Sequence, residues 1–231
     1  GRLLCEQPKT VFNAAGLNSK NSEIISIDKY VDNFSDILEK YQNKEYSEIF
    51  LSKVKKVIEK ENQINNSEKE LPLSRKAALT LFRAMRYKDE YEVARLHVKY
   101  LKEGLENTFD NIGKVKFHLA PPLISRKDKS GNLIKQEFGS WVFPIMKLLA
   151  KGKILRGTVF DIFGHTAERK LERKLATEFE KDINLCINNF HNDIVDEIIE
   201  RSSIPLEYKG FGHVKLKSIK ESEEKINHLM T

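Results

Sequence analysis

Apolar residues recur along most of this chain with the three-to-four spacing of an amphipathic helix, and the spacing gives way to a two-residue alternation around one stretch. Ile27, Tyr30, Phe34, Ile37, Leu38 and Tyr41 form one stripe behind Ser26, a hydroxyl N-cap, with Asp28 in the first turn. A second stripe at Tyr46, Phe50, Val54 and Val57 runs into the polar stretch Glu61 to Lys69, which predicts a flexible link and a domain boundary. Pro72 opens a helix through Ala77, Ala78, Leu81, Phe82 and Met85, and Asp89 caps another through Tyr91, Ala94, Val98, Leu101 and Leu105. Between these two, Met85 to Tyr91 (MRYKDEY) predicts a solvated turn with two packing tyrosines.

The alternation begins at Lys114. Val115, Phe117 and Leu119 fall on one side and Lys114, Lys116 and His118 on the other, the pattern of a strand with one face buried. Pro121 and Pro122 have no N–H to give and stop the ladder; Ser130-Gly131-Asn132 signals a turn, and Ile134, Gln136 and Phe138 resume the extended pattern. A small β-hairpin follows. Beyond it, Trp141 to Ala150 predicts a short buried helix stopping at Gly152, Thr166 caps a long helix through Leu171, Leu175, Phe179, Ile183, Ile187 and Phe190, and the asparagines at 188, 189 and 192 break it. Short helices over Ile194 to Ile199 and Lys215 to Leu229 close the chain. The predicted fold is mainly α, a helix-dominated α+β domain with one small β-hairpin insertion. Residues 1–25 read as an irregular connector from an upstream domain, 26–66 as a helical hairpin linker region, and 67–231 as a C-terminal accessory domain.

Composition narrows the class. With 40% apolar and 32% charged residues and few glycines or prolines, the chain reads as soluble and helix-rich, and no apolar run approaches the length of a membrane span. A cytoplasmic location is the expectation. Forty basic against 34 acidic side chains leave a net +6, a small excess over a mixed background. Cys5 and Cys186 are the only cysteines, so neither a disulfide framework nor a four-thiolate cluster can be built from this segment. The first residue is Gly1 rather than Met, which suggests a piece of a longer polypeptide.

Familiar chemistry is sparse. Neither GxxxxGK[ST] nor GxGxxG occurs, and the six histidines are never paired at i, i+3 or i, i+4, so no metal or phosphate site is expected from motifs. Arg126 and Lys127, with His118 and Lys135 on the same hairpin, form the best anion-binding candidate, because a guanidinium grips phosphate or carboxylate in two-pronged fashion. Arg156, His165 and His213 are candidates for lining a cleft, and His165 beside Asp161 could make an acid–base pair, although a loop histidine bonded to backbone is the plainer reading.

Four blocks carry more. Leu81 to His97 (LFRAMRYKDEYEVARLH), Lys116 to Trp141 (KFHLAPPLISRKDKSGNLIKQEFGSW), Leu155 to Arg173 (LRGTVFDIFGHTAERKLER) and Gly210 to Lys215 (GFGHVK) closely resemble, in order and spacing, the C-terminal region of the long, fused indolepyruvate ferredoxin oxidoreductases. Ile27 to Phe50 resembles the segment before them. The resemblance implies a parent enzyme that oxidatively decarboxylates aryl 2-oxo acids to acyl-CoA, with thiamine diphosphate, Mg and 4Fe-4S clusters held by upstream catalytic domains of the same polypeptide, and a homo-oligomeric assembly. It places no cofactor and no family catalytic residue on this segment, and neither nucleic acid nor membrane among its partners. A free-standing basic helical protein that binds nucleic acid or another anionic partner is the alternative. An independent small-molecule enzyme using His118, His165 or His213 in a common cleft is a third.

Overall fold

In a computed structural model the structure describes residues 25–64, 71–107, 114–121, 125–126, 128, 134–188, 195–208 and 213–228. Among them are eight α-helices and one two-stranded antiparallel hairpin, the helix-dominated α+β fold that the spacing predicts. The helices are α1 (Ile27–Tyr41), α2 (Lys44–Ile64), α3 (Pro72–Met85), α4 (Glu90–Glu106), α5 (Val142–Lys151), α6 (Ala167–Asn188), α7 (Val195–Ser203) and α8 (His213–His228). The strands are β1 (Phe117–Leu119) and β2 (Gln136–Phe138), between α4 and α5.

Local chemistry explains the boundaries. Ser26 caps α1 by accepting from the Lys29 N–H, and Thr166 does the same for α6 with the Arg169 N–H. Leu71, before Pro72, sits in the left-handed region at φ 42° and offers no cap of its own. Glu61 takes over: one carboxylate oxygen accepts from the Leu73 N–H at 2.9 Å, the other from the Ser74 N–H and hydroxyl at 2.8 and 2.6 Å. Glu61 therefore belongs inside α2, fully buried, rather than at the head of a polar link. A carboxylate at the positive end of a helix, bonded to its orphan donors, is a stable way to bury charge.

Two apolar cores result. In the larger, Leu38, Phe50, Val54, Leu73, Ala78 and Phe179 bring α1, α2, α3 and α6 together, with Phe34 stacked on Phe82 at 4.3 Å and α7 joining through Ile198. In the smaller, Ala94 of α4 meets Phe117, Val142 and Met146, so the hairpin and α5 lie against α4. The β register pairs Phe117 with Phe138, His118 with Glu137 and Leu119 with Gln136. Phe117 points into the core while Lys116 and His118 face water, as the alternation requires.

One expectation needs correcting. The helix at 142–151 buries only part of its apolar surface: Val142 and Met146 face the small core, whereas Trp141, Ile145 and Leu148, one helical face apart, are exposed. Gly152 follows this helix as predicted, with φ −63°. The Tyr91 ring lies so close that a Cβ on Gly152 would come within 2.9 Å of it.

Candidate functional site

Apart from Glu61, against the start of α3, the most buried charges of the described residues lie where the two cores meet. The turn after α3 carries Tyr87 and Asp89 inward, and the short 3₁₀ turn after α5, Gly152–Leu155, delivers Arg156 opposite them. Arg156 and Asp89 side chains are each only 3% exposed. Their bond is two-pronged, Nε to Oδ2 at 2.6 Å and Nη2 to Oδ1 at 3.0 Å, and Nη1 donates to the Tyr41 carbonyl at 2.9 Å. The guanidinium also stacks 3.8 Å above the Tyr41 ring. Asp89 has a second task, accepting from the Glu92 N–H at 2.8 Å as the N-cap of α4.

Neighbouring groups extend the network. The Tyr41 hydroxyl donates to the Tyr87 carbonyl, and that of Tyr46 to the Met85 carbonyl. Tyr91 donates to Asp161 Oδ1 at 3.2 Å, while the Gly157 and Gly164 N–H groups each reach an Asp161 oxygen at 2.9 Å. Burial first, and then the Asp161 charge, push the Tyr91 hydroxyl up to about 12; burial likewise raises Tyr41 and Tyr87, with Asp89 adding to it. Glu92, also buried, loses by desolvation but is held below the usual carboxylate range by Arg95 and Arg86. Glu90 shows the reverse balance, raised by burial more than the Arg169 charge lowers it.

The turn MRYKDEY is thus not a solvated corner: Met85, Tyr87, Asp89 and Tyr91 are buried, and only its two packing tyrosines match the expectation. A cleft of about 340 Å³ beside it is lined by Tyr46, Lys53, Tyr87, Arg156, Gly157 and Arg173. Arg156, a predicted cleft residue, does line it, but its donors are turned to Asp89 and Tyr41. Lys53 is bonded to Glu180 at 2.7 Å. A second depression of about 270 Å³ between α3, α6 and the Ile204–Glu207 turn is lined by Arg83, Glu172 and Lys215, the last two paired.

The predicted anion-binding group lies elsewhere. His118, Arg126 and Lys135 are exposed on the hairpin, whose arms are joined by the Ile134 N–H donating to the Arg126 carbonyl at 2.8 Å. Lys127 lies outside the described residues. His165 is exposed at the end of the Asp161 turn, and Asp161 bonds Tyr91 and backbone N–H groups instead of it. His213 begins α8, and its side chain lies outside the described set. One feature of charge escaped the sequence reading. Between Lys114 and His165 eight lysines and two arginines stand against Asp128, Glu137 and Asp161, a net +7, so the remainder of the +6 chain sums to −1.

The chain matches, over residues 27–228, a family profile described as "Family of unknown function (DUF6537)". It belongs to that family. No curated protein and no solved structure matches it. In this DUF6537 member the family match takes in both cores, the Arg156–Asp89 network and the hairpin. No helix among the described residues is long and apolar enough to cross a membrane.

Proposed function

We propose that the chain is the C-terminal accessory domain of a multidomain oxidoreductase that decarboxylates aryl 2-oxo acids to acyl-CoA, serving packing and assembly while upstream domains carry the reaction. The four-block resemblance motivates the reading, and one observation supports it beyond that. Two of the blocks, more than fifty residues apart in the chain, meet in the buried network: Asp89 and Tyr91 of the first face Arg156 and Asp161 of the third. The network is closed on itself. Arg156 spends Nε, Nη1 and Nη2 on Asp89 and Tyr41, and Asp161 accepts from three donors. Side chains so committed fix the register of two cores rather than receive a ligand.

The metals of the cofactors that the resemblance implies find no ligand set among the described residues. Among them no group of three or more His, Cys, Asp or Glu side chains converges in a way that could hold a metal ion. In this reading the thiamine diphosphate, Mg and 4Fe-4S clusters belong to upstream domains, and the chain's own residues hold architecture.

The test is to isolate the natural full-length polypeptide, measure its intact mass and cofactor content, and introduce Arg156→Met. The expected result is a longer enzyme with unchanged cofactor content per chain, unchanged KM for the 2-oxo acid, and a lower Tm. Stoichiometric binding of a redox centre by the 231-residue chain alone, or turnover of a 2-oxo acid by it, would refute the reading. The concentration of +7 between Lys114 and His165 favours a second reading, a basic protein that binds nucleic acid or another anion on its own. Absence of a gel shift with duplex DNA or RNA at low salt removes its nucleic-acid form.

A further inference from the structure

Nine of the thirteen large apolar side chains exposed among the described residues fall between Ile134 and Ile162. Trp141, Ile145 and Leu148 line one face of α5, Ile154 follows in the 3₁₀ turn, and Val159, Phe160 and Ile162 stand out from the next loop; Val159 is 83% exposed and Phe160 71%. Scattered exposed apolar residues need no explanation, but a concentration of this kind in one short segment marks an interaction face.

The loop is built to hold those side chains outward. The Asp161 carboxylate reaches back to Gly157 and forward to Gly164, and the Tyr91 hydroxyl fastens it to α4. A Cβ on Gly164 would overlap the Asp161 carboxylate and push it aside, and Gly157 sits at φ +78°. Phe163 is turned inward against the Tyr91 ring at 5.3 Å, and Arg173 Nη2 donates to the Gly164 carbonyl at 2.5 Å. Five turn hydrogen bonds, into the Leu155, Thr158, Phe160, Asp161 and Phe163 carbonyls, leave little freedom between them. A binding loop ordered in advance loses less conformational entropy on docking.

Charge identifies the occupant. From Gly139 to Thr166 the sequence has one carboxylate, Asp161, and it is buried; Lys147, Lys151 and His165 are exposed on the same stretch. A second copy would bring lysines against lysines, and like charges across an interface are repulsive. A fluid bilayer makes no use of a loop of fixed shape. We infer that α5 and the Gly157–His165 loop dock into an apolar depression rimmed by aspartate and glutamate on a neighbouring protein domain. This deepens the accessory-domain reading and rests on it, the neighbour being an upstream domain of the same polypeptide.

Hydroxyl-radical footprinting of the 231-residue chain and of the natural full-length polypeptide tests this. Trp141, Leu148, Val159 and Phe160 are expected to be modified at least ~10-fold more slowly in the full-length protein, with exposed Tyr100 on α4 as the unprotected control. Lys147→Glu with Lys151→Glu in the full-length protein should restore most of the labelling. Rates within about twofold in the two proteins would overturn the docking inference and leave the accessory-domain reading standing, since the latter is decided by mass and cofactors. An intact mass no larger than 26.8 kDa would sink that reading and this inference with it. Sedimentation of the chain with phosphatidylserine-containing vesicles, or a dimer in solution, lost in Phe160→Asp in either case, would assign the face to lipid or to a second copy and overturn it.

Discussion

Replacing Asp89 by alanine removes two things at once, the partner of a buried guanidinium and the N-cap of α4. Arg156 is left with one acceptor, the Tyr41 carbonyl, and with two donor nitrogens facing a site that admits almost no water. Breaking a buried ion pair from one side costs about 3–5 kcal/mol, because the surviving charge has lost both water and partner. Loss of the bond to the Glu92 N–H adds roughly 1 kcal/mol. For a chain of this size, a Tm drop of about 2–4 °C per kcal/mol places the variant on the order of 8–24 °C below the parent. Arg156→Met should cost about 3–5 kcal/mol, without the cap term, since Asp89 can still accept from α4. The pair matters more than either member: in Asp89→Leu with Arg156→Met no charge is stranded, so the double variant should lose less than the sum of its singles, by up to ~3 kcal/mol. Urea unfolding followed by circular dichroism measures all of these. A single substitution costing under ~1 kcal/mol, or strict additivity in the double variant, would show that the network does not join the two cores.

Other outcomes follow from the same contacts. Glu61→Ala leaves the Leu73 and Ser74 N–H groups and the Ser74 hydroxyl without their carboxylate, which should cost about 2–4 kcal/mol in urea unfolding; a neutral result would mean that the α3 terminus is wet. Gly164→Ala forces the Asp161 carboxylate off its three donors, so hydrogen exchange at Gly157 and at residue 164 should accelerate while the α1–α3 core amides stay protected; unchanged exchange would contradict the bracing role. Because the folded-state pKa of Glu92 is depressed, its stabilisation is present above the unfolded value near 4.3 and is lost as pH falls through the folded one, so the Tm gap between parent and Glu92→Gln should close at acid pH. Glu90 has the opposite sign: its folded pKa is raised, so any gain from Glu90→Gln at neutral pH should shrink as pH falls through that raised value, and a gap widening toward acid would reverse the assignment. On the accessory-domain proposal, Arg126→Glu with Lys127→Glu in the natural full-length polypeptide should raise the KM for CoA or weaken assembly; unchanged kinetics and mass would dismiss the hairpin as a contact.

Much of the fold was legible because helix periodicity and caps are local. Ser26 and Thr166 cap where a hydroxyl before an apolar stripe should, Pro72 opens its helix, and the alternation at 115–119 separates buried Phe117 from exposed Lys116 and His118. The failures share a cause. Glu61 and Asp89 look solvated because single charges in polar stretches usually are, Arg156 reads as a cleft residue, and nothing near each of them in the chain announces its partner. Glu61 reaches twelve residues ahead to Leu73, and Asp89 and Arg156 are sixty-seven residues apart. Burial of such groups becomes thermodynamically possible only when a distant segment supplies matching donors, so it is a property of the pair and cannot be read from either residue. The opposite error occurred at Trp141 to Ala150, where continuous apolarity predicted burial and the helix instead covers the small core with Val142 and Met146 while turning Trp141, Ile145 and Leu148 to the outside. A helix that is apolar on every side has one surface more than this fold can cover. The wider stretch that holds it, Lys114 to His165, carries the chain's excess positive charge, and the two departures together locate the outward face that the docking inference occupies.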